Sequence, residues 1–407
     1  TCLGRPPLEG ALAAVFDDRV PVLEIERIGA GAAVIGRWPV AIEDRHNTLR
    51  AVSQVLGRLA HMVRVAVVAL VRDPAARLSI AEPVASARLG ALACPMLFAR
   101  SLEARIRRRL ERRLRAPADW RVVWRRRDPA TDRLAPERDA TPFRLLADDG
   151  ARFYADPFLW DAGDRTLLFV EEYPYATGRG ILSVAEIDAA GRVSTPRPIL
   201  EQDVHLSYPQ VFAHAGELWM VPETSGRRTV ELWRAVAFPD RWEKHAELLA
   251  DVDLADATLI EHAGAWWMFG TSRERWCSSW DALHVFTAPT LAGPWTPIDA
   301  APVKVDVATA RPAGSMIATP SGLLRPVQDS STDYGCGLAL TRVDRLDATG
   351  FAETVLTRFA TPAPLRGIHT WNRAASAGGL VETLDVFVAA SDFGDDRHLD
   401  LTPRPSS

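Results

Sequence analysis

Asp156, Tyr208, Asp256, Arg311 and His369 open five similar stretches of the chain, and Glu171, Glu172, Glu223, Arg325, Gln328, Asp329 and Asn372 lie where a following strand could bring them to the same space. Carboxylates, arginines and aromatic rings in one place suit a sugar, whose hydroxyls take bidentate polar partners and whose faces stack on rings. Two carboxyls at a suitable separation could protonate a glycosidic oxygen and activate a water or a nucleophile. On this reading Asp156, Asp256 and Glu223 are the candidate catalytic carboxylates. Glu172, Tyr208, Arg311, Arg325, Gln328, Asp329, His369 and Asn372 are the candidate substrate contacts.

Residues this far apart converge only if a repeating architecture carries them. "ADPFLWDAGDRTLLFVEE" from Ala155, "SYPQVFAHAGELWMVPET" from Ser207 and "ADATLIEHAGAWWMFGTS" from Ala255 share a small polar entry, a hydrophobic strand, a turn and an aromatic strand. Weaker copies begin at Arg311 and His369. The starts are roughly 48 to 57 residues apart, the length of a four-stranded blade with its loops. Segments such as "GILSVAEID", "TVELWRAV" and "ALHVFTAP" supply further strands. The expected fold is mainly β, a five-bladed β-propeller over 116–392 preceded by a smaller helical segment. Inner strands line a propeller's channel, which is how the five opening residues would meet. An open ring would leave an unpaired edge, so "DWRVVWRRR" from Asp119 is expected to complete the fifth blade. Residues 393–407 carry no pattern and are expected to form a flexible tail.

Residues 1–115 have a different texture, rich in Ala, Leu and Arg. Asn47 and Thr48 can cap a helix whose apolar positions Leu49, Val52, Val55, Leu56, Leu59, Met62 and Val63 recur at spacings of three and four. A second helix is expected over Ser101–Arg115, with arginines around a Leu102, Ile106, Leu110 and Leu114 stripe. It could touch an anionic membrane surface, together with Arg125 to Arg127. The apolar run Met62 to Val71 contains Arg64 and is too short by itself to cross a bilayer, and no secretory signal opens the sequence, so no membrane anchor is expected.

A net charge of −4 over 407 residues argues against a nucleic-acid binder. Cys2, Cys94, Cys277 and Cys336 lie far apart without metal-ligand spacing, so neither a disulfide framework nor a zinc site is expected. No cofactor or metal is expected. Trp266 and Trp267 are adjacent and must face opposite sides of a strand, which places at least one in the core.

The motifs "FYADPFLW", "VEEY", "HLSYPQVFAHAGELWMVPETS", "FPDRW", "GPWTP", "ARPAGS", "RPVQDSS" and "HTWN" together resemble the propeller domain at the N-terminal side of plant glucosamine inositolphosphorylceramide transferases, a domain also found in bacterial proteins of surface-polysaccharide loci. The chain is read as a bacterial member. That domain is similar to the furanosidase-like fold of family 43 glycoside hydrolases. The resemblance implies Asp156 as general base and Asp256 as the residue that tunes the acid. The acid itself does not carry over, because "ARPAGS" places Arg311 where a glutamate is expected, and arginine binds anions but gives up no proton. The segment from Pro7 to Arg50 is similar to linker sequence that follows formyltransferase-like domains, without the residues of that chemistry.

These features lead to a protein that acts on a glycosyl substrate in cell-surface polysaccharide or glycolipid biosynthesis, by glycosyl transfer or glycosidase-like chemistry. The alternative is a non-catalytic glycan-binding module that positions substrate for a partner glycosyltransferase. The expected ligand is a carbohydrate or sugar phosphate. The expected location is cytoplasmic, peripheral at most to the inner face of the membrane through helix 101–115.

Overall fold

The computed structural model describes residues 1–28, 33–78, 81–82, 95–97, 99–103, 106, 118–129, 134, 141–363, 365–376, 379–389 and 398–399. Five antiparallel sheets follow one another as blades, each inner strand meeting the next blade. Blade I comprises Arg152–Asp161, Arg165–Pro174, Ile181–Asp188 and Arg197–Leu200. Blade II comprises Ser207–His214, Glu217–Thr224, Thr229–Ala237 and Arg241–Leu249. Blade III is built on Leu254–His262, Ala265–Ser272 and Ala282–Ala288. Blade IV comprises Ile317–Thr319, Gly322–Asp329, Gly337–Asp347 and Gly350–Ala360. Each turn between the first two strands of blades I to III holds a glycine at positive φ, Gly163, Gly216 and Gly264, the conformation that the shared Ala-Gly or Gly-Asp turn needs.

The fifth blade joins both ends of the domain. Its order is Gly367–Ser376, Gly379–Ala389, Ala118–Arg127, Phe143–Leu145 and His398–Leu399. The expected closing strand pairs antiparallel from Leu380 with Arg127 to Ala389 with Ala118. A buried ion cluster fixes this register: Arg125 donates to Glu382 at 2.8 Å, and Trp371 Nε1 donates to the same carboxylate at 2.8 Å. Arg125 and Arg127 are therefore buried side chains, not part of a membrane-facing basic patch. His398 and Leu399 extend the fifth sheet against Arg144 and Phe143, so the stretch expected to be a featureless tail contributes an edge strand.

Apolar cores fill the seams between blades. Phe158 and Phe169 of blade I pack with Met220 and Trp233 of blade II. Trp266 enters the seam between blades II and III, and Trp267 the seam between III and IV, so the adjacent tryptophans serve two cores from opposite faces. Leu324 and Leu340 of blade IV meet Trp371 and Leu384 of blade V, and Trp124 and Val381 of blade V meet Leu168 and Val170 of blade I. Burying one such side chain stabilises the fold by about 1.5–3 kcal/mol, so the ring is held by many contacts of similar strength.

The N-terminal segment holds helix α1 (Pro7–Phe16), a β-hairpin of Val22–Arg27 with Ala33–Pro39, and helix α2 (Thr48–Arg72). The hairpin adds strand to a segment read as mostly helical. Asn47 caps α2 by accepting from Arg50 N–H at 3.2 Å. The buried face of α2 is Ala51, Gln54, Val55, Arg58, Met62 and Ala66, while Leu49 and Val63 are exposed. The stripe is rotated because Gln54 and Arg58 have partners on the inner side: Gln54 accepts from Glu43 N–H, and Arg58 bonds Asp281 of the propeller at 2.7 Å. α2 runs unbroken for 25 residues and is long and apolar enough, by length and composition, to cross a membrane, whereas the run Met62 to Val71 by itself is not. Of the helix expected over Ser101–Arg115, residues 104–105 and 107–115 lie outside the described residues, as does Cys94.

Candidate functional site

The opening residues of the repeats are placed by a bulge. In blades I, II and III two inner-strand residues oppose one on the second strand, with register shifts between Ala155 and Phe158, between Ser207 and Gln210, and between Ala255 and Thr258. The first residue of each bulge takes left-handed backbone, φ 47° at Asp156, 48° at Tyr208 and 55° at Asp256. Such backbone costs of order 1 kcal/mol for a side-chain-bearing residue, and bulges of this kind re-aim a side chain. His369 occupies the corresponding bulge in blade V, between Ile368 and Trp371. Four blades thus turn a polar residue toward the same end of the channel.

A buried relay forms there. His369 stands between two carboxylates, Nε2 at 3.0 Å from Asp156 and Nδ1 at 2.9 Å from Asp385. Thr370 donates to Asp156 Oδ1 at 2.8 Å, and Tyr208 N–H donates to its Oδ2 at 3.2 Å. Arg311 grips Asp256 with Nε at 2.6 Å and Nη2 at 3.2 Å, and Gln328 donates to the same carboxylate at 2.9 Å. Glu223 accepts from Asp256 N–H at 3.0 Å and from Ser225 Oγ at 2.7 Å.

Above this floor lies a pocket of about 440 Å³, lined in part by Glu223, Asp253, Ser279, Trp280, Arg311 and Tyr334. The Arg311 guanidinium lies 5.1 Å from the Tyr334 ring, which also contacts Trp280 and His369. Asp156 and Asp256 are 5% and 2% exposed and sit beneath the pocket, leaving Glu223 and Asp253 as its acidic walls.

The model of the N-terminal domain of glucosamine inositolphosphorylceramide transferase 1 matches residues 146–387, more than half of the chain. The chain belongs to that family. Glucosamine inositolphosphorylceramide transferase 1 of Oryza sativa subsp. japonica is 29% identical over 248 residues, covering 58% of this chain and 33% of the rice protein. The Arabidopsis thaliana protein of the same name is 29% identical over 263 residues, covering 63% of this chain and 34% of its own length. The chain therefore spans about a third of the length of these curated relatives. Both are plant proteins, so they lend no support to a bacterial origin. Among solved structures, the catalytic domain of a Coprinopsis cinerea GH62 α-L-arabinofuranosidase is 12% identical with a TM-score of 0.47, covering 63% of this chain and 91% of that one. An exo-1,5-α-L-arabinanase from a bovine ruminal metagenomic library is 14% identical with a TM-score of 0.43, covering 62% of this chain and 91% of that one.

In this member of the family the floor is electrostatically divided. Burial opposes charge on His369, yet the carboxylates of Asp385 and Asp156 raise it to about 10, and an imidazolium results. Burial likewise opposes charge on Asp156, but the His369 cation and the bonds from His369 and Thr370 hold it below its ordinary value. Burial pushes Asp256 up to about 8, with Arg311 opposing and the Glu223 and Asp156 carboxylates adding. Arg311 also moves up against its own burial, because it meets the carboxylates of Asp256 and Glu223. Both move up, which favours the neutral form of Asp256 and the charged form of Arg311, because burial and the like charges of Glu223 and Asp156 outweigh the partner's cation at Asp256. Asp156, His369 and Asp385 bring donor atoms within 4.8 Å of one another, the spacing a cation would need, but those atoms are already one another's ion-pair partners.

Several residues chosen from sequence make protein contacts in place of an open face. Arg325 is 1% exposed and is held by Glu353 and by the carbonyls of Thr309 and Ala310. Glu172 points across the sheet from Glu171 and bonds Arg152 and Ser183. Tyr208 OH joins Thr258 and Gly314 N–H, and Asn372 links Pro157 O to Ser315 N–H, so both tie neighbouring blades together. Asp329 bonds Ser331 and Arg358 away from the pocket lining. Gln328 serves Asp256 rather than the pocket. Arg311 has two of its donors on Asp256, which leaves Nη1 and its contact with Ser279 at 3.5 Å as the edge open to a ligand.

Trp280, Tyr334, Ser279 and Asp385 were not singled out from sequence. Asp385 lies opposite the blade V bulge, where blades I and II carry Val170 and Pro222, so the repeat gives no hint of a carboxylate. Trp280 and Tyr334 stand in the loops between the second and third strands of blades III and IV, 273–281 and 330–336, which are longer than their counterparts 175–180 and 225–228 in blades I and II.

Proposed function

We propose that the protein is carbohydrate-active and takes a glycosyl unit into the channel-mouth pocket during the assembly of a glycolipid or cell-surface polysaccharide. The observation that carries this reading is the composition of one pocket: Glu223 and the free edge of Arg311 face Trp280 and Tyr334 across about 440 Å³, a space in the range of small-ligand sites. The rings give a stacking surface and the carboxylate and guanidinium give polar partners for hydroxyls. Membership of a family named for glucosamine transfer to inositolphosphorylceramide supports a glycolipid substrate. Glu223 is the carboxylate best presented to take or give a proton there, and Asp156 and Asp256 act from beneath by fixing charge.

A second reading, a recognition module serving a partner glycosyltransferase, is favoured by one observation: both oxygens of Asp156 already accept from protein groups, and His369 holds its charge. A screen of glycans and sugar nucleotides, followed by product analysis, separates the two. Turnover by the wild type that is lost in Glu223→Gln supports the enzyme. Binding lost in Arg311→Ala, with no product from any variant, supports recognition. No binding by the wild type to any glycan or sugar nucleotide defeats both.

A further inference from the structure

The second-strand carboxylates of the ring share a structural duty, and one of them is released from it. In blade II, Glu223 pairs with Ser207 across the strands and its carboxylate accepts the N–H of Asp256, the bulge residue of the next blade. In blade V, Asp385 accepts the N–H of Asp156, the bulge residue of blade I, at 2.9 Å. Glu171 occupies in blade I the register that Glu223 holds in blade II, paired with Ala155 just before the bulge. The N–H it would cap is that of Tyr208, and this donor goes to Asp156 instead.

What Glu171 has in exchange is a neutral partner. His205 Nε2 lies 3.3 Å from Glu171 Oε1, while His205 Nδ1 accepts the N–H of Gly180 at 2.9 Å. A nitrogen that accepts carries no proton, so the imidazole is the neutral tautomer with its hydrogen on Nε2, aimed at Glu171. Gly180 makes the arrangement possible: a Cβ there would lie 2.7 Å from His205 Cε1 and 2.8 Å from Glu171 Oε1. The carboxyl is thus buried, with 9% of its side chain open, and among the described residues it accepts no backbone N–H and pairs with no arginine or lysine. Asp156, Glu223 and Asp385 face it as further carboxylates, and His369 is the cation in its surroundings. Burial, then the negative charge of Asp156, raises it well above the ordinary carboxyl range.

We propose that Glu171 is the proton donor of the channel, presenting a carboxyl O–H to an oxygen of the bound sugar, with His205 as its positioning residue. The proposal rests on the glycosyl-binding reading above and supplies the acid that Arg311 cannot be. In the enzyme reading the step balances as follows. The C1–O bond to the leaving group breaks with its electron pair going to that oxygen, which takes the Glu171 proton. The oxygen of an acceptor hydroxyl bonds to C1, and its proton passes to the Glu223 carboxylate.

Infrared difference spectroscopy on the whole chain at neutral pH, with methyl and 4-nitrophenyl glycosides of the common hexoses and N-acetylhexosamines as probes, tests this. The wild type is expected to show a protonated-carboxyl carbonyl band that Glu171→Gln lacks, that Gly180→Ala perturbs, and that shifts when a glycoside binds. Absence of that band, or a band unmoved by a glycoside that binds, overturns the proposal. Where a glycoside is turned over, Glu171→Gln should slow the methyl glycoside by about 100-fold or more and the 4-nitrophenyl glycoside far less, since that leaving group needs little proton assistance. Equal slowing of both overturns the catalytic step. A band that shifts on binding, with no turnover by the wild type, supports Glu171 as donor and counts against the enzyme reading.

Discussion

Arg311 and Asp256 form a bidentate pair at 2.6 and 3.2 Å beneath the pocket, both side chains under a tenth exposed. The pair makes Arg311 a fixed, internally neutralised support beneath the pocket. Removing the guanidinium leaves Asp256 with Glu223 and Asp156 as its charged neighbours. Breaking a buried pair costs about 3–5 kcal/mol, and because Asp256 can take up a proton the low end applies. Arg311→Ala should therefore lose about 3 kcal/mol, more at pH 8 than at pH 5. Urea denaturation at both pH values checks this, and a loss that is the same at each pH contradicts it.

The His369 relay sets a pH dependence of folding. Its folded-state value of about 10 lies above the ordinary imidazole range, so its contribution is fully present below about pH 6.5 and fades as pH rises through 10. Stability should fall across pH 7 to 10 by on the order of a few kcal/mol, and His369→Gln should flatten that slope. Thermal unfolding of both proteins through this window reads the difference.

Arg58 anchors α2 to the propeller. Its guanidinium, 1% exposed, bonds Asp281 at 2.7 Å and Ser278 O at 3.0 Å, and Asp281 also accepts Ala41 N–H at 2.8 Å. Arg58→Ala leaves a buried carboxylate without its cation, with an expected cost of about 3–5 kcal/mol. The N-terminal segment should become open to limited proteolysis while the blades stay protected. Equal protection of the segment in wild type and variant would count against Arg58 as the anchor.

Ring closure depends on a strand contributed from far upstream. A chain beginning after residue 130 lacks the Ala118–Arg127 strand and leaves Gly379–Ala389 with an open edge and Glu382 without Arg125. Such a chain should fail to fold cooperatively, as seen by circular dichroism during heating. A sharp transition near that of the full chain would show that four complete blades suffice.

The repeat, the five blades and the closing strand were legible in the sequence because turns and alternating strands are local patterns, and their period is set by blade length. The convergence of Asp156, Asp256, Arg311 and His369 followed from that period. Sequence could not tell which of Glu171 and Glu172 faces the channel, since adjacent strand residues point to opposite sides and the bulge sets the phase. Nor could it show that Arg325 answers Glu353, that Arg311 answers Asp256, or that Asp385 stands behind His369. Those pairings join residues from separate strands, and for Arg311 and Asp256 from separate blades, so they exist only once the ring has closed. Strand order came from the chain's local chemistry, whereas the partner of each charge, and so which carboxyl keeps its proton, was decided by burial and distance in the assembled channel.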